Sequence, residues 1–369
     1  KLAKLYAGEF EAIGFRVRVV EQPVEMGRGP HFVAERDGDQ GKHVLLIGHL
    51  DTVFEVDSPF QKMRIEDGKA YGPGVEDMKG GNAVVLFALR ALQEIGALEN
   101  VGITVIFTGD EESAGRPLEV ARRDLIAAGI KADIALGFEA GVRDLHMATI
   151  ARRGASGWRL EVEGRRAHSS QIFQPGYGAG AIYETSRILS SFYEELAGEQ
   201  YLTFNPGVIV GGTQADFDKA TSGGDAFGKT NVIAQTAIVV GDLRFLSEAQ
   251  KTNARDRMRK IVAQSLPQTQ ARISFSDGYP AMEPTPGNRA LMQKMGEVSE
   301  ELGMGAVEPL DPSERGAADI SFVAADVEAS LAGMGPVGWG GHTMDEGIEL
   351  STLAATTKRA ALLIYRLTR

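Results

Sequence analysis

The chain contains no cysteine. Disulfides and thiolate metal sites are both excluded, so any metal must be held by His, Asp and Glu. This absence leaves the compartment open. Basic residues are outnumbered: 39 Lys and Arg stand against 50 Asp and Glu, a formal net charge of -11. Phosphate binding rests on clustered Lys and Arg, so the balance argues against a nucleic-acid partner. The plain reading of the acid excess is solubility, and part of it is available to ligate metal. Long apolar runs are missing too. No window approaches the roughly 18 residues that a membrane helix needs. The longest, 101–107 and 234–240, are short. No membrane partner is expected.

The sequence begins KLAKLYAGEFEAIGF, without Met and without the apolar centre of a signal peptide. The expectation is a helix over 1–14, preceded in the full protein by a further N-terminal segment. The location is then either cytoplasmic or periplasmic/secreted.

What is present reads as alternating strands and helices. Strands are expected at 15–21, 31–35, 43–48, 103–108, 134–138 and 329–334. Helices are expected at 82–95, 117–128, 287–302 and 317–325, with a last one capped by Ser351. The 43–48 run is apolar throughout, which suits a central strand covered on both faces. This order indicates an α/β fold with a mostly parallel mixed sheet flanked by helices. The texture changes near 152. Trp158, Leu160 and Val162 alternate with Arg159, Glu161 and Glu163, the pattern of a sheet with one wet face. A helix follows over 179–196, a strand over 236–245, and a helix capped by Ser247. The 153–272 block is a candidate inserted α+β domain, and 1–152 with 273–369 form the discontinuous remainder.

Ligands of open α/β sheets bind beyond the carboxyl ends of the strands. Those ends carry His49 and Asp51, then Asp110, Glu111 and Glu112, then Glu139, and finally a glycine-rich loop ending in His342. Asp77 stands before a helix start, among Gly72, Gly74, Gly80 and Gly81. His49 and Asp51 share one side of an extended segment. Either both bind metal, or Asp51 orients the imidazole, or the pair is an ordinary hydrogen bond. Asp77 is either a helix cap or a carboxylate bridging two cations. Glu111-Glu112 follow a buried run, so a solvated turn is not the obvious explanation. One of them as ligand and the other as general base would suit metal-assisted hydrolysis. The run from Gly72 to Gly81 lacks phosphate-loop spacing, which disfavours a nucleotide-dependent enzyme. His31, His43 and His146 belong to no motif and read as surface or packing residues.

HLDTV, YGPGVEDMKGGNAV, TGDEESAG, GFEAG and GGHTMDEG stand in the order and approximate spacing of the dinuclear zinc aminoacylase and carboxypeptidase superfamily. The chain most resembles its glucarpidase (glutamate carboxypeptidase) branch, over nearly its whole length. The resemblance implies two divalent ions, zinc by preference. His49 and Glu139 would complete one site, Glu112 and His342 the other, and Asp77 would bridge them. Asp51 would orient His49, and Glu111 would be the general base acting on a zinc-bridged water. A cis peptide is implied at Asp77-Met78. The inserted block would be a lid or dimerisation domain of a homodimer. His168 would reach a partner's active site and stabilise the oxyanion. Asn231 and Arg244 would hold substrate, Arg244 by its carboxylate. On its own residues, Arg244 would be read as a strand-edge ion pair.

The chain is expected to depart from the family's pattern at three places, one being the family's initial helix and strand region, which is expected to be absent. The 211–229 loop is longer than expected. SERGAADISF, at 313–322, replaces a GGTD-like turn; Arg315 is expected to alter the pocket, while Asp319 keeps the matching acid. The implied substrate is a small peptide or N-acyl amino acid with a free carboxylate, cleaved at an amide bond in carboxypeptidase fashion. An N-acyl amino acid deacylase or an aminopeptidase is the nearest rival. A non-catalytic small-molecule binding protein is more distant.

Overall fold

Val44, Leu45, Leu46 and Ile47 are all buried because the strand Gln40–His49 has a packed layer on each face. Val44 and Leu46 join a core that contains Val85 and Leu89, Leu291 and Met295, and Leu363 and Ile364. These come from the helices Gly80–Glu94, Pro286–Glu301 and Leu350–Leu367. Leu45 and Ile47 join the opposite core with Leu125, Ile320 and Val323. Each such aliphatic side chain contributes roughly 1.5–3 kcal/mol by leaving water.

The computed structural model describes residues 1–369, and the chain divides into two units. Lys1–Arg152 with Met282–Arg369 form unit 1, and Arg153–Ala281 form unit 2. Unit 1 is built on a six-stranded sheet in the order Arg16–Val20, His31–Arg36, Val101–Thr108, Gln40–His49, Ile134–Gly137, Ala329–Leu331. The last four run parallel, and His31–Arg36 alone runs opposite, antiparallel to its neighbours on both sides. This is the expected mixed α/β sheet. A smaller sheet pairs Gly338–Trp339, Gly347–Glu349, Lys69–Tyr71 and Arg64–Glu66.

Unit 2 is a four-stranded antiparallel sheet in the order Thr203–Gly212, Thr236–Phe245, Gly154–Gly164, Thr269–Asp277. Trp158, Leu160 and Val162 face a core shared with Ile188, Phe192 and Met258. Those residues lie on the helices Gly180–Leu196 and Glu248–Val262. Ser247 caps the second helix, its side chain accepting the Gln250 amide at 3.0 Å. Thr269–Asp277 pairs with Gly154–Gly164, so the return to unit 1 falls at 281/282 rather than at 272/273. The two ends of the insertion meet in unit 1. Arg152 and Met282 exchange backbone hydrogen bonds of 2.9 and 3.0 Å.

Several local expectations are corrected. The helix expected over 117–128 is two pieces, Leu118–Ala121 and Arg123–Lys131. They break at Arg122, whose guanidinium turns inward to Asp110 and Asp319. The 317–325 segment holds only the tight turn Asp319–Phe322, because Asp319 is drawn to Arg122 and Thr108. Ser351 lies inside the last helix, which starts at Leu350 with Glu349 at its cap position. The long 211–229 loop is an antiparallel hairpin of Gln214–Asp218 and Gly223–Phe227.

Candidate metal centre and catalytic cluster

Three carboxyl ends of the parallel strands converge on one place in unit 1. His49 is the final residue of Gln40–His49 and is 2 % exposed. The Asn82 side-chain amide donates to its carbonyl at 2.6 Å, which ties the strand end to the first turn of the following helix. That helix can approach so closely because it starts with glycine. A Cβ on Gly81 would run into the Phe138 carbonyl. Asp77 sits just before it, in a non-helical backbone conformation with a cis bond to Met78. Asp77 is therefore no helix cap. Its Oδ1 lies 2.8 Å from His49 Nε2, and its Oδ2 lies 3.3 Å from His342 Nε2. His342 Nε2 is also 3.1 Å from Glu112 Oε2.

His49, Asp77 and Glu112 offer donor atoms that all lie within 4.8 Å of one another. With His342 beside them, this is an oxygen and imidazole-nitrogen set without thiolate, which fits a divalent cation such as zinc. Glu139, the remaining expected ligand, lines the same small recess as His49. Its carboxylate, however, is held by Arg152 and by Arg315, the latter at 3.1 Å.

Asp51 does two things. Its backbone carbonyl is 3.1 Å from His49 Nδ1, nearer than its carboxylate at 3.5 Å. The carboxylate instead accepts the backbone amides of Glu111 at 3.1 Å and Glu112 at 3.0 Å. It thus seats the turn that carries both acids. Beneath that turn lies the buried ion group of Arg122, Asp110 and Asp319.

Sequence reasoning passed over Glu346, which is 1 % exposed. Its carboxylate accepts the amides of Gly74 at 2.8 Å, Glu76 at 2.8 Å and Asp77 at 2.9 Å. It stands four residues after His342, in the same motif, and that proximity was the available signal. Arg152 was passed over as well. Two further glycine spacings match nucleotide-binding motifs, and neither forms a nucleotide site. Gly223 to Thr230 matches GxxxxGK[ST] and Gly333 to Gly338 matches GxGxxG, spacings that bind phosphate at a helix start. The first lies on a hairpin strand and its exit, the second on a loop, and no helix follows either.

In unit 2, His168 and Asn231 are neighbours. His168 pairs with Val232, and the Ser169 amide donates to the Asn231 carbonyl at 2.9 Å. The His168 ring faces the Ser170 hydroxyl at 2.9 Å. Arg244 donates through Nε to Asp242 at 2.7 Å, an ion pair within an interior strand rather than at an edge. His31, His43 and His146 hydrogen-bond to Ala121, Thr104 and Ala306 and lie outside the cluster.

Crowding of like charges shapes the electrostatics. Burial, then Glu139 and Asp319, push the Glu111 carboxyl well above the ordinary range. Burial, then Asp77, raise Glu112 to about 7. Burial opposes the charged form of His49, yet hydrogen bonds to Asp51 and Asp77 prevail and raise it well above its usual value. Burial likewise opposes the Asp77 carboxylate, but the bond to His49 and the nearby His342 hold it low. The cluster thus carries more negative charge than it can comfortably ionise, the state that added cations would relieve.

A model of the peptidase family M20/M25/M40 matches residues 45–366. The chain belongs to this family. Among M20/M25/M40 relatives, carboxypeptidase G2 from Pseudomonas sp. (strain RS-16) is 28% identical over 92% of this chain and 77% of its own length, in keeping with the glucarpidase-like branch. A succinyl-diaminopimelate desuccinylase from Gluconacetobacter diazotrophicus is 27% identical over 96% of this chain and 89% of its own. Among solved structures, aminopeptidase PepT from Bacillus cereus has the same M20-type fold, with a TM-score of 0.76 at 20% identity over 100% of this chain and 93% of that one. The chain is accordingly a hydrolase of a metallopeptidase family.

Proposed function

We propose that this hydrolase uses two divalent ions, zinc by preference, to cleave an amide bond of a small peptide or N-acyl amino acid with a free carboxylate, in carboxypeptidase fashion. One observation carries the reading: Asp77 turns one oxygen to His49 and the other to His342. A carboxylate divided between two imidazoles is what a bridge between two cations requires. Asp77, Glu112 and His342 would hold one ion, and Asp77, His49 and Glu139 the other. When bound, the ions supply Lewis acidity that acidifies water and polarises the scissile carbonyl.

Glu111 is the general base. Its backbone is fixed by Asp51, and its raised carboxyl suits taking a proton from water and giving it to the leaving amine. His168 stabilises the oxyanion, Asn231 contacts substrate, and Arg244 binds its carboxylate by exchanging Asp242 for the ligand. The active form is a homodimer through unit 2. A second reading, an N-acyl amino acid deacylase, is favoured by the desuccinylase relative, which aligns over 96% of this chain.

The test is hydrolysis by zinc-loaded protein of C-terminal glutamyl dipeptides, N-acyl amino acids and free-amine peptides, with a chelator control. The Glu111→Ala variant should retain its metal and lose at least a hundredfold in turnover. Undiminished turnover in that variant refutes the assignment of the base.

A further inference from the structure

The two halves of the proposed metal cage are supported differently. On the His342 side, Glu112 is within ion-pair distance of His342 alone, and no guanidinium reaches it. On the His49 side, Glu139 is clasped by two arginines, and both act on the same oxygen. Arg152 Nη2 and Arg315 Nη2 each donate to Glu139 Oε2. Neither cation lies in open solvent: the side chains are 3% and 15% exposed. Both are further anchored, Arg152 to the Ala317 carbonyl at 3.3 Å and Arg315 to the Ala140 carbonyl at 3.3 Å. The Nε atoms of both are buried without a partner, so packing holds them there at a cost. No hydrogen bond reaches Glu139 Oε1.

Resting on the two-ion reading, we infer that Arg152 and Arg315 are positioning residues for Glu139 and make the His49 side of the cage the weaker of its two ion sites. One guanidinium is enough to orient a carboxylate, and Arg152, the more buried of the two, makes the closer contact. The second adds little orientation but a full positive charge. An ion arriving at His49 meets a carboxylate whose charge is already compensated and a cation close behind it. Only Oε1 remains to receive it, so Glu139 serves as a single-oxygen ligand. Glu112 carries no such burden. The chain therefore fills the His342 side first and exchanges the ion on the His49 side more readily. Partners behind a ligand commonly shift metal affinity about 10–100-fold, which sets the expected gap.

Metal-stripped full-length protein is titrated with Co2+ by calorimetry, with the visible spectrum recorded in parallel. Two steps are expected, separated by at least tenfold. Arg315→Gln should tighten the second step about tenfold and leave the first unchanged. Arg315→Lys, which keeps the charge, should preserve most of the gap. Arg152→Gln should weaken the second step, since orientation is lost. A purely structural ion pair would lower the melting temperature of Arg315→Gln without tightening the second step, and that result overturns the inference. Two equal steps in the unmodified protein overturn it as well. Uptake of one ion only refutes the two-ion reading itself.

Discussion

The Glu346 carboxylate accepts the backbone N–H of Asp77 at 2.9 Å. With the amides of Gly74 and Glu76 on the same carboxylate, one buried acid from the His342 motif holds the backbone from which Asp77 projects. Replacing Glu346 by Ala leaves three donors without a partner, at about 1–3 kcal/mol each. Glu346→Gln keeps the shape and one acceptor. Denaturant melts should rank the unmodified protein above Glu346→Gln and that above Glu346→Ala. Metal titration of the folded Gln variant should show affinity reduced about 10–100-fold.

Asp51 links His49 to the turn bearing Glu111 and Glu112. Asp51→Ala removes the acceptor of both amides, while the backbone carbonyl facing His49 remains. The expected outcome is a fall in kcat larger than the change in metal content. Steady-state kinetics beside metal analysis measure it, and unchanged kcat would refute the seating role.

The raised carboxyls give a signed pH dependence. Glu112 titrates near 7 in the folded chain, raised by burial and Asp77, against roughly 4.5 when unfolded. Between those values the folded state holds the extra proton, so the metal-free chain loses stability as pH rises through the window. Glu111 acts in the same direction. Metal-free Glu112→Gln should melt above the metal-free parent at pH 8, by the equivalent of about 1 kcal/mol or more, and the difference should close toward pH 4. Thermal melts in chelator across that range test it. A pH-independent difference would show that charge crowding is not its source.

Gly81 provides a steric test. A Cβ there would meet the Phe138 carbonyl, forcing the Gly80–Glu94 helix away from the strand end. Gly81→Ala should destabilise the protein by about 1–3 kcal/mol and weaken metal binding, because Asn82 and Asp77 move with the helix start. Calorimetric melting and cobalt titration would show the two losses together.

Much of the site could be read without coordinates, for a physical reason. His49, Asp77, Glu112 and His342 each follow or adjoin a buried strand or a glycine turn, so local pattern places them at one sheet end. The Gln40–His49 strand was legible because burial on both faces demands an unbroken apolar run. Arg152 and Glu346 were not, since their meaning lies in contacts with residues far away in sequence. The hairpin at Gln214–Asp218 and Gly223–Phe227 was not, since Ala215 and Phe217 alternate with polar residues over only five positions and the Gly-rich partner strand is almost wholly exposed. The helix expected over 317–325 failed because the apolar spacing there serves one tight turn, and Asp319 is spent on a buried ion group.

The paired backbones of Arg152 and Met282 mean that unit 1 has no gap where unit 2 is inserted. Every strand of unit 1 finds its partners within unit 1. To that unit the insertion is a loop whose ends are already closed, and loop closure grows only logarithmically with length. The chain can therefore accept a longer, shorter or altogether different insert at this seam without repaving its sheet. Insert and sheet are free to change separately, with Arg152 standing at the seam as the last residue unit 1 keeps for itself.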